Sequence, residues 1–174
     1  MKKIIVFFLL CLPLQIAFAD SLGEIKEKLK NANCMHFSFI SVIESDIFET
    51  VDSTYGDAQM AKDGRYHISI GDEVYVYDLK HYFTYVASNN QLIIEKGDDS
   101  SNDDILFITK LDEFYKSYIL HPDLKFRLIK KENVIGDFPD SLIVITDNKK
   151  QEIKEISFFD VNEELNRIIF ISQK

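Results

Sequence analysis

The chain is short of several things, and each shortage closes off a class of function. It has no tryptophan and only two cysteines in 174 residues. One of these, Cys11, lies in an N-terminal stretch expected to be removed, which leaves Cys34 and no internal disulfide. Positive charge is in deficit: 20 Lys and Arg stand against 29 Asp and Glu, for a formal charge of −9. No basic cluster interrupts that balance, which argues against nucleic acid or an anionic membrane surface as partner, since neutralising phosphates needs clustered Lys and Arg. The apolar run from Ile4 to Leu12 is shorter than the roughly 20 residues a spanning helix needs, and Pro13 ends it. Catalytic and ligand-holding motifs are missing too. His36, His67, His81 and His121 show no metal-ligand spacing, and there is no H-E-x-x-H, G-x-S-x-G, P-loop or G-x-G-x-x-G. No metal, cofactor or catalytic residue is therefore expected, and the chain does not read as an enzyme. A secreted hydrolase using two of its many acids is the weakest alternative.

What is present begins with an address. Lys2 and Lys3 precede the apolar run, and Ala17-Phe18-Ala19 supplies an A-x-A pattern, so residues 1–19 read as a signal peptide cleaved before Asp20. Residues 20–174 then form one domain by length, with 46% hydrophobic and 28% charged residues, a globular balance. No repeat, linker or low-complexity tract divides it.

The stretch from Gly56 to Gly97 organises this domain. Aromatic and β-branched runs are cut by Asp63-Gly64, Gly71-Asp72, Asp78 to Lys80 and Ser88-Asn89-Asn90, connections too short for crossover helices. A meander of antiparallel strands follows. Tyr82, Phe83, Tyr85 and Val86 make it apolar on both faces, so one face is covered or lined for an apolar guest. Before it, Ser21 and Glu24 form a capping box, and Leu22, Ile25, Leu29 and Ala32 recur at helical spacing. Strands follow from about Phe37 to Ser45 and from Ile47 onward. Cys34, at the start of the first strand, is expected to be buried.

After Gly97, residues 98–104 are strongly polar but lack the frame of a calcium loop. A helix is expected from Asp103 to about Tyr118, with Ile105, Ile108, Leu111, Tyr115 and Tyr118 as its apolar stripe. Four strands complete the chain: Leu124 to Leu128, Leu142 to Thr146, Ile153 to Phe159 and Leu165 to Ile171. The fold class is α+β, mainly β: a large curved antiparallel sheet with helices over its concave face.

The order of these features resembles the LolA family of periplasmic lipoprotein carriers. Gly56, Arg65-Tyr66, Asp78-x-Lys80 with Phe83-x-Tyr85, Asn90-Gln91 and Ile153 to Phe158 carry the resemblance, over most of the chain after the signal. Lys62-Asp63-Gly64 stands where the family has an Arg-Pro, and Phe83 where it has a Trp. The resemblance implies a half-open β-barrel whose helices lid an apolar cavity for acyl chains. It implies a monomeric periplasmic carrier of acylated lipoproteins or lipid, an inner-membrane ABC-type release complex and an outer-membrane acceptor as partners. A lipid-binding or envelope-sensing module of the RseB type is the alternative.

Strand periodicity places Lys62, Tyr66, Ile68 and Ile70 on one side of the meander, away from Arg65, His67 and Ser69. In the family a basic residue and an aromatic lie on the cavity side at matching spacing, which maps to Lys62 and Tyr66. Phe83 and Tyr85 are expected on the same side, with Val74, Val76, Leu92 and Ile94. Ile108, Leu111 and Tyr115 would face them from the helix.

Overall fold

The computed structural model describes residues 21–97, 111–121, 124–134, 138–147, 149 and 151–174. The expected signal peptide, the polar stretch 98–104 and the first part of the expected second helix, Ile108 included, lie outside the described residues.

Among the described residues, helix α1 (Ser21–Asn31) comes first and eleven strands of a single sheet follow. They are β1 (Cys34–Ser45), β2 (Thr50–Ala61), β3 (Tyr66–Ile70), β4 (Glu73–Tyr77), β5 (His81–Val86), β6 (Gln91–Lys96), β7 (Tyr115–His121), β8 (Lys125–Lys130), β9 (Ser141–Asp147), β10 (Glu152–Phe159) and β11 (Leu165–Gln173). A short helical turn, α2 (Leu111–Phe114), leads into β7. The spatial order is β6-β5-β4-β3-β2-β1-β11-β10-β9-β8-β7, every pair antiparallel, and the two ends do not join. This is a half-open β-barrel. Its first and last strands, β1 and β11, pair at the centre of the sheet, and two meanders run outward from them.

Local chemistry accounts for the turns. Gly71 takes a positive φ of 58° in the two-residue connection from β3 to β4, a geometry that matches the twist of paired strands. Gly56 is needed for a different reason. A Cβ there would lie 2.4 Å from the Phe39 ring, which covers the β2 backbone at that point.

One face of the sheet, here the inner face, is dry. Helix α1 lies on it through the apolar stripe read from the sequence. Leu22 and Ile25 join Phe126, Leu128, Leu142, Val144, Ile153 and Ile156 of β8, β9 and β10. Leu29 also reaches the second cluster, Met35, Phe37, Phe39, Ala58, Met60, Tyr66 and Ile68 of β1, β2 and β3, where Ala32 packs too. On the outer face Arg167 ties three strands together. It donates from Nε and Nη2 to Glu155 at 3.1 and 3.2 Å, and from Nη1 to Glu44 at 3.0 Å. Those carboxylates, Glu155 foremost, raise its pKa and keep it charged.

Two expectations are corrected. The second helix ends at Phe114, not Tyr118, and the residues from Tyr115 are strand, so five strands rather than four follow it. Tyr-Lys-Ser-Tyr-Ile-Leu fits a helical stripe and an alternating strand alike. Pairing with β8, where Tyr118 faces Arg127 and Ile119 faces Phe126, decides for the strand. Cys34 is exposed rather than buried. The alternation of β1 sends Met35, Phe37 and Phe39 inward and turns the first residue of the strand away from them.

Candidate functional site

The pairing register fixes which residues of the first meander share a face. Phe37 opposes Ala58, Ala58 opposes Ile68, Ile68 opposes Tyr75, Tyr75 opposes Thr84, and Thr84 opposes Ile93. This single row crosses six strands on the inner face. Burial holds over the first three strands and then falls: Phe37 is 3% exposed and Ile68 1%, Tyr75 and Thr84 are half-buried, and Ile93 is 39% exposed. A parallel row runs Met35, Met60, Tyr66, Tyr77, Tyr82 and Glu95. The inner face of β3, β4 and β5 is thus an aromatic trough, floored near β3 and progressively open towards β6.

Tyrosine dominates its lining. Tyr77 and Tyr82 stack with ring centroids 4.3 Å apart, and Tyr66 approaches Tyr77 at 5.8 Å. Such contacts brace the rings against one another, and tyrosine rings offer broad apolar faces with polar tips. The Tyr75 hydroxyl donates to the Glu73 carboxylate. Burial, with that carboxylate second, pushes the Tyr75 pKa up to about 12, so the phenol stays neutral across the physiological range. The trough therefore carries little charge inside and a carboxylate at one end. At the other end the β2–β3 turn places Lys62 in solvent and pairs Arg65 with Asp63 at 2.9 Å.

The expected site residues separate into groups. Tyr66, Ile68 and Ile70 share the inner face as anticipated, with Lys62 at the turn beyond them. Val74, Val76, Phe83, Tyr85, Leu92 and Ile94 oppose one another in register on the outer face, so the shared-face assignment fails for them. Leu111 and Tyr115 are buried in the other cluster, against α1 and β8, and do not line the trough. Tyr115 donates to the Pro139 carbonyl at 3.1 Å, and burial pushes its pKa up to about 12. Sequence reasoning missed Tyr75, Tyr77, Tyr82 and Thr84. The signal for them was the two-residue Gly71-Asp72 turn. It opposes Ile70 to Glu73 and so brings Tyr75 beside Ile68 and Tyr77 beside Tyr66.

One polar cluster on the outer face bears on catalysis. Asp57 accepts from Ser38 Oγ at 2.9 Å and lies 2.6 Å from His36 Nε2. These bonds, the histidine's first, hold its carboxyl below the usual range. The carboxylate sits between hydroxyl and imidazole and itself accepts the serine's hydrogen bond, the reverse of the order in which a histidine activates a serine. Among the described residues no group of three or more His, Cys, Asp and Glu is arranged to hold a metal. A shallow apolar cleft of about 60 Å³ also lies between the end of α1 and the start of β1, with Leu29, Met35 and Phe37 in its walls.

Together these features define a half-open barrel with a dry core at one end and a lined, open trough at the other. Solved structures are similar to this chain. An uncharacterized conserved protein from Thermus thermophilus is similar over 88% of this chain and 84% of its own, at 9% identity and a TM-score of 0.52. The LolA superfamily protein NE2245 from Nitrosomonas europaea is similar over 87% and 92%, at 8% identity and a TM-score of 0.43. A putative outer membrane lipoprotein-sorting protein domain from Vibrio parahaemolyticus is similar over 88% and 90%, at 6% identity and a TM-score of 0.43. At 9% identity the likeness to the Thermus protein is one of fold alone. No family model and no curated protein matches the chain.

Proposed function

We propose that this protein is a periplasmic lipid- or lipoprotein-binding module that shelters acyl chains in the inner-face trough of β3, β4 and β5. The observation that carries the reading is the row from Phe37 to Ile93, whose side chains stay on the inner face of the sheet while their burial, complete up to β3, gives way from β4 to β6. An apolar guest laid on Ile70, Tyr75, Tyr77 and Tyr82 would remove that surface from water, at about 0.8 kcal/mol per buried CH₂ of the guest. The floor residues Tyr66 and Ile68 would support it. The role of carrier between inner and outer membranes, with an ABC-type release complex and an outer-membrane acceptor, is the specific form of this reading that the LolA resemblance favours. Export with cleavage after Ala19 is part of it.

The test is binding of a fluorescent acyl probe, together with native mass spectrometry of gently purified protein. Co-purified lipid or lipoprotein, and probe binding that weakens at least tenfold in Tyr77→Asn, are expected. A protein that carries no lipid and does not bind the probe would refute the proposal.

A further inference from the structure

Charge is distributed unevenly around the trough. Strands β1 to β5 contain no lysine or arginine. The cations of the first meander, Lys62, Arg65, Lys80 and Lys96, all stand at the end where β2 turns into β3 and β4 into β5. Acids are mixed with them there: Asp63 pairs with Arg65, and Glu95 precedes Lys96. The opposite end has one sign only. Its three connections, β1 to β2, β3 to β4 and β5 to β6, carry Asp46, Glu49 and Asp72 and not one basic residue. A hydrogen bond with Ser88 holds the Asp72 carboxyl below its ordinary value. Strand β2 also runs on past β3, pairing with β1 alone from Thr50 to Thr54, and alternation puts Asp52 on the inner side of that extension.

Inside the trough the same sign recurs. Of the residues that the pairing register places on the inner face of β3, β4 and β5, Glu73 alone carries a charge. It lies opposite Ile70, half-buried, at the acidic end. The Tyr75 hydroxyl takes one acceptor position of a carboxylate that has about four, so Glu73 can accept from a further donor. The tyrosine rings beside it favour the same kind of donor, because the faces of aromatic rings attract cations. An anionic group would be repelled by the ring faces and the carboxylate alike.

Resting on the acyl-binding reading above, we propose that the polar end of the guest sits at Glu73 and is an ammonium group. The acyl chain then runs from Glu73 over Tyr75, Tyr77 and Tyr82 towards the end of mixed charge. An ethanolamine-headed lipid and an acylated peptide with a lysine near its acyl group both supply that arrangement.

Competition against a fluorescent acyl probe tests it. Three amphiphiles of equal chain length serve, each below its micelle-forming concentration: dodecylammonium, the neutral dodecyl maltoside and dodecanoate. The ammonium is expected to displace the probe at about one tenth of the concentration that dodecanoate needs, with the maltoside between them. High salt should narrow the gap. Glu73→Gln removes the charge and keeps an acceptor for Tyr75, so it should bring ammonium and carboxylate close to parity while thermal unfolding stays like that of wild type. A short-chain ethanolamine lipid and a dodecanoylated lysine peptide, run as further competitors, separate the two sources, and the tighter of them names the guest. Equal displacement by all three heads overturns the proposal. So does an ammonium preference that Glu73→Gln retains, a preference for dodecanoate, or displacement by neither further competitor. Each of these leaves the acyl trough standing. Failure of the probe itself to bind refutes the trough, and this inference falls with it.

Discussion

The two meanders that flank β1 and β11 start from similar material and end differently. In the C-terminal one the inner-face row Ile156, Val144, Phe126 stays sealed, each residue no more than 1% exposed, and opens only at Ile119 on the last strand. In the N-terminal one the row already opens at β4, two strands before its last. Helix α1 explains much of the difference: Leu22 and Ile25 sit over the C-terminal half, whereas Leu29 and Ala32 reach only the rim of the other. Side-chain type follows the cover. The sealed half uses Leu, Ile, Val and Phe, and the open half uses tyrosine, which tolerates both an apolar guest and water. One continuous sheet thus holds a core at one end and a receptive surface at the other.

The comparison can be broken by substitution. Ile156→Ala, in the sealed half, should cost about 2–5 kcal/mol of stability, because it leaves a cavity among residues that cannot close on it. Thr84→Ala in the open half should change stability by no more than about 0.5 kcal/mol. Chemical denaturation of both variants checks this, and equal losses would erase the distinction. A smaller effect belongs to the outer face. Arg167→Met removes the link between Glu44 and Glu155, and should lower stability by about 1 kcal/mol at low salt and less at high salt, because the three groups are partly exposed.

Cys34 should react quickly with a maleimide in the native protein, as an exposed thiol does, and slow labelling would contradict its placement. The smallest effect concerns acid. Asp57 has a folded pKa below its ordinary value, so its contribution to stability is present above the ordinary carboxylate range and is lost as pH falls through the folded pKa. Asp57→Asn should flatten that part of the stability profile slightly, since the group is partly exposed, by lowering stability a little at neutral pH and leaving it unchanged in acid.

Much of this fold was legible in the sequence, and the reason differs from part to part. Leu22, Ile25, Leu29 and Ala32 announced α1 because a helix with one buried side has few ways to space its apolar residues. The turns of the first meander were legible because Gly64, Gly71 and Asn90 mark positive φ. The facing of β4, β5 and β6 was not, because apolar residues alternate there with tyrosines and both sets look buried. Val76, Phe83 and Ile94 are more hydrophobic than Tyr75, Tyr82 and Ile93 taken together, yet hairpin register turns them outward. Register outranks hydrophobicity where both faces of a strand are apolar. For Tyr115 to Leu120, period alone could not separate helix from strand, and β8 supplied the decision.

The division of faces gives the sharpest test of the trough. Tyr82 and Phe83 are neighbours on β5, both half-buried, and they point to opposite sides of the sheet. Tyr82→Asn and Phe83→Asn each remove one aromatic ring and add one amide, so they differ chiefly in the face they alter. Titration of a fluorescent acyl probe into the two variants and wild type measures the consequence. The expected result is at least a tenfold loss of affinity for Tyr82→Asn and near wild-type affinity for Phe83→Asn. The opposite order, or equal loss in both, would contradict an acyl-binding trough on the inner face.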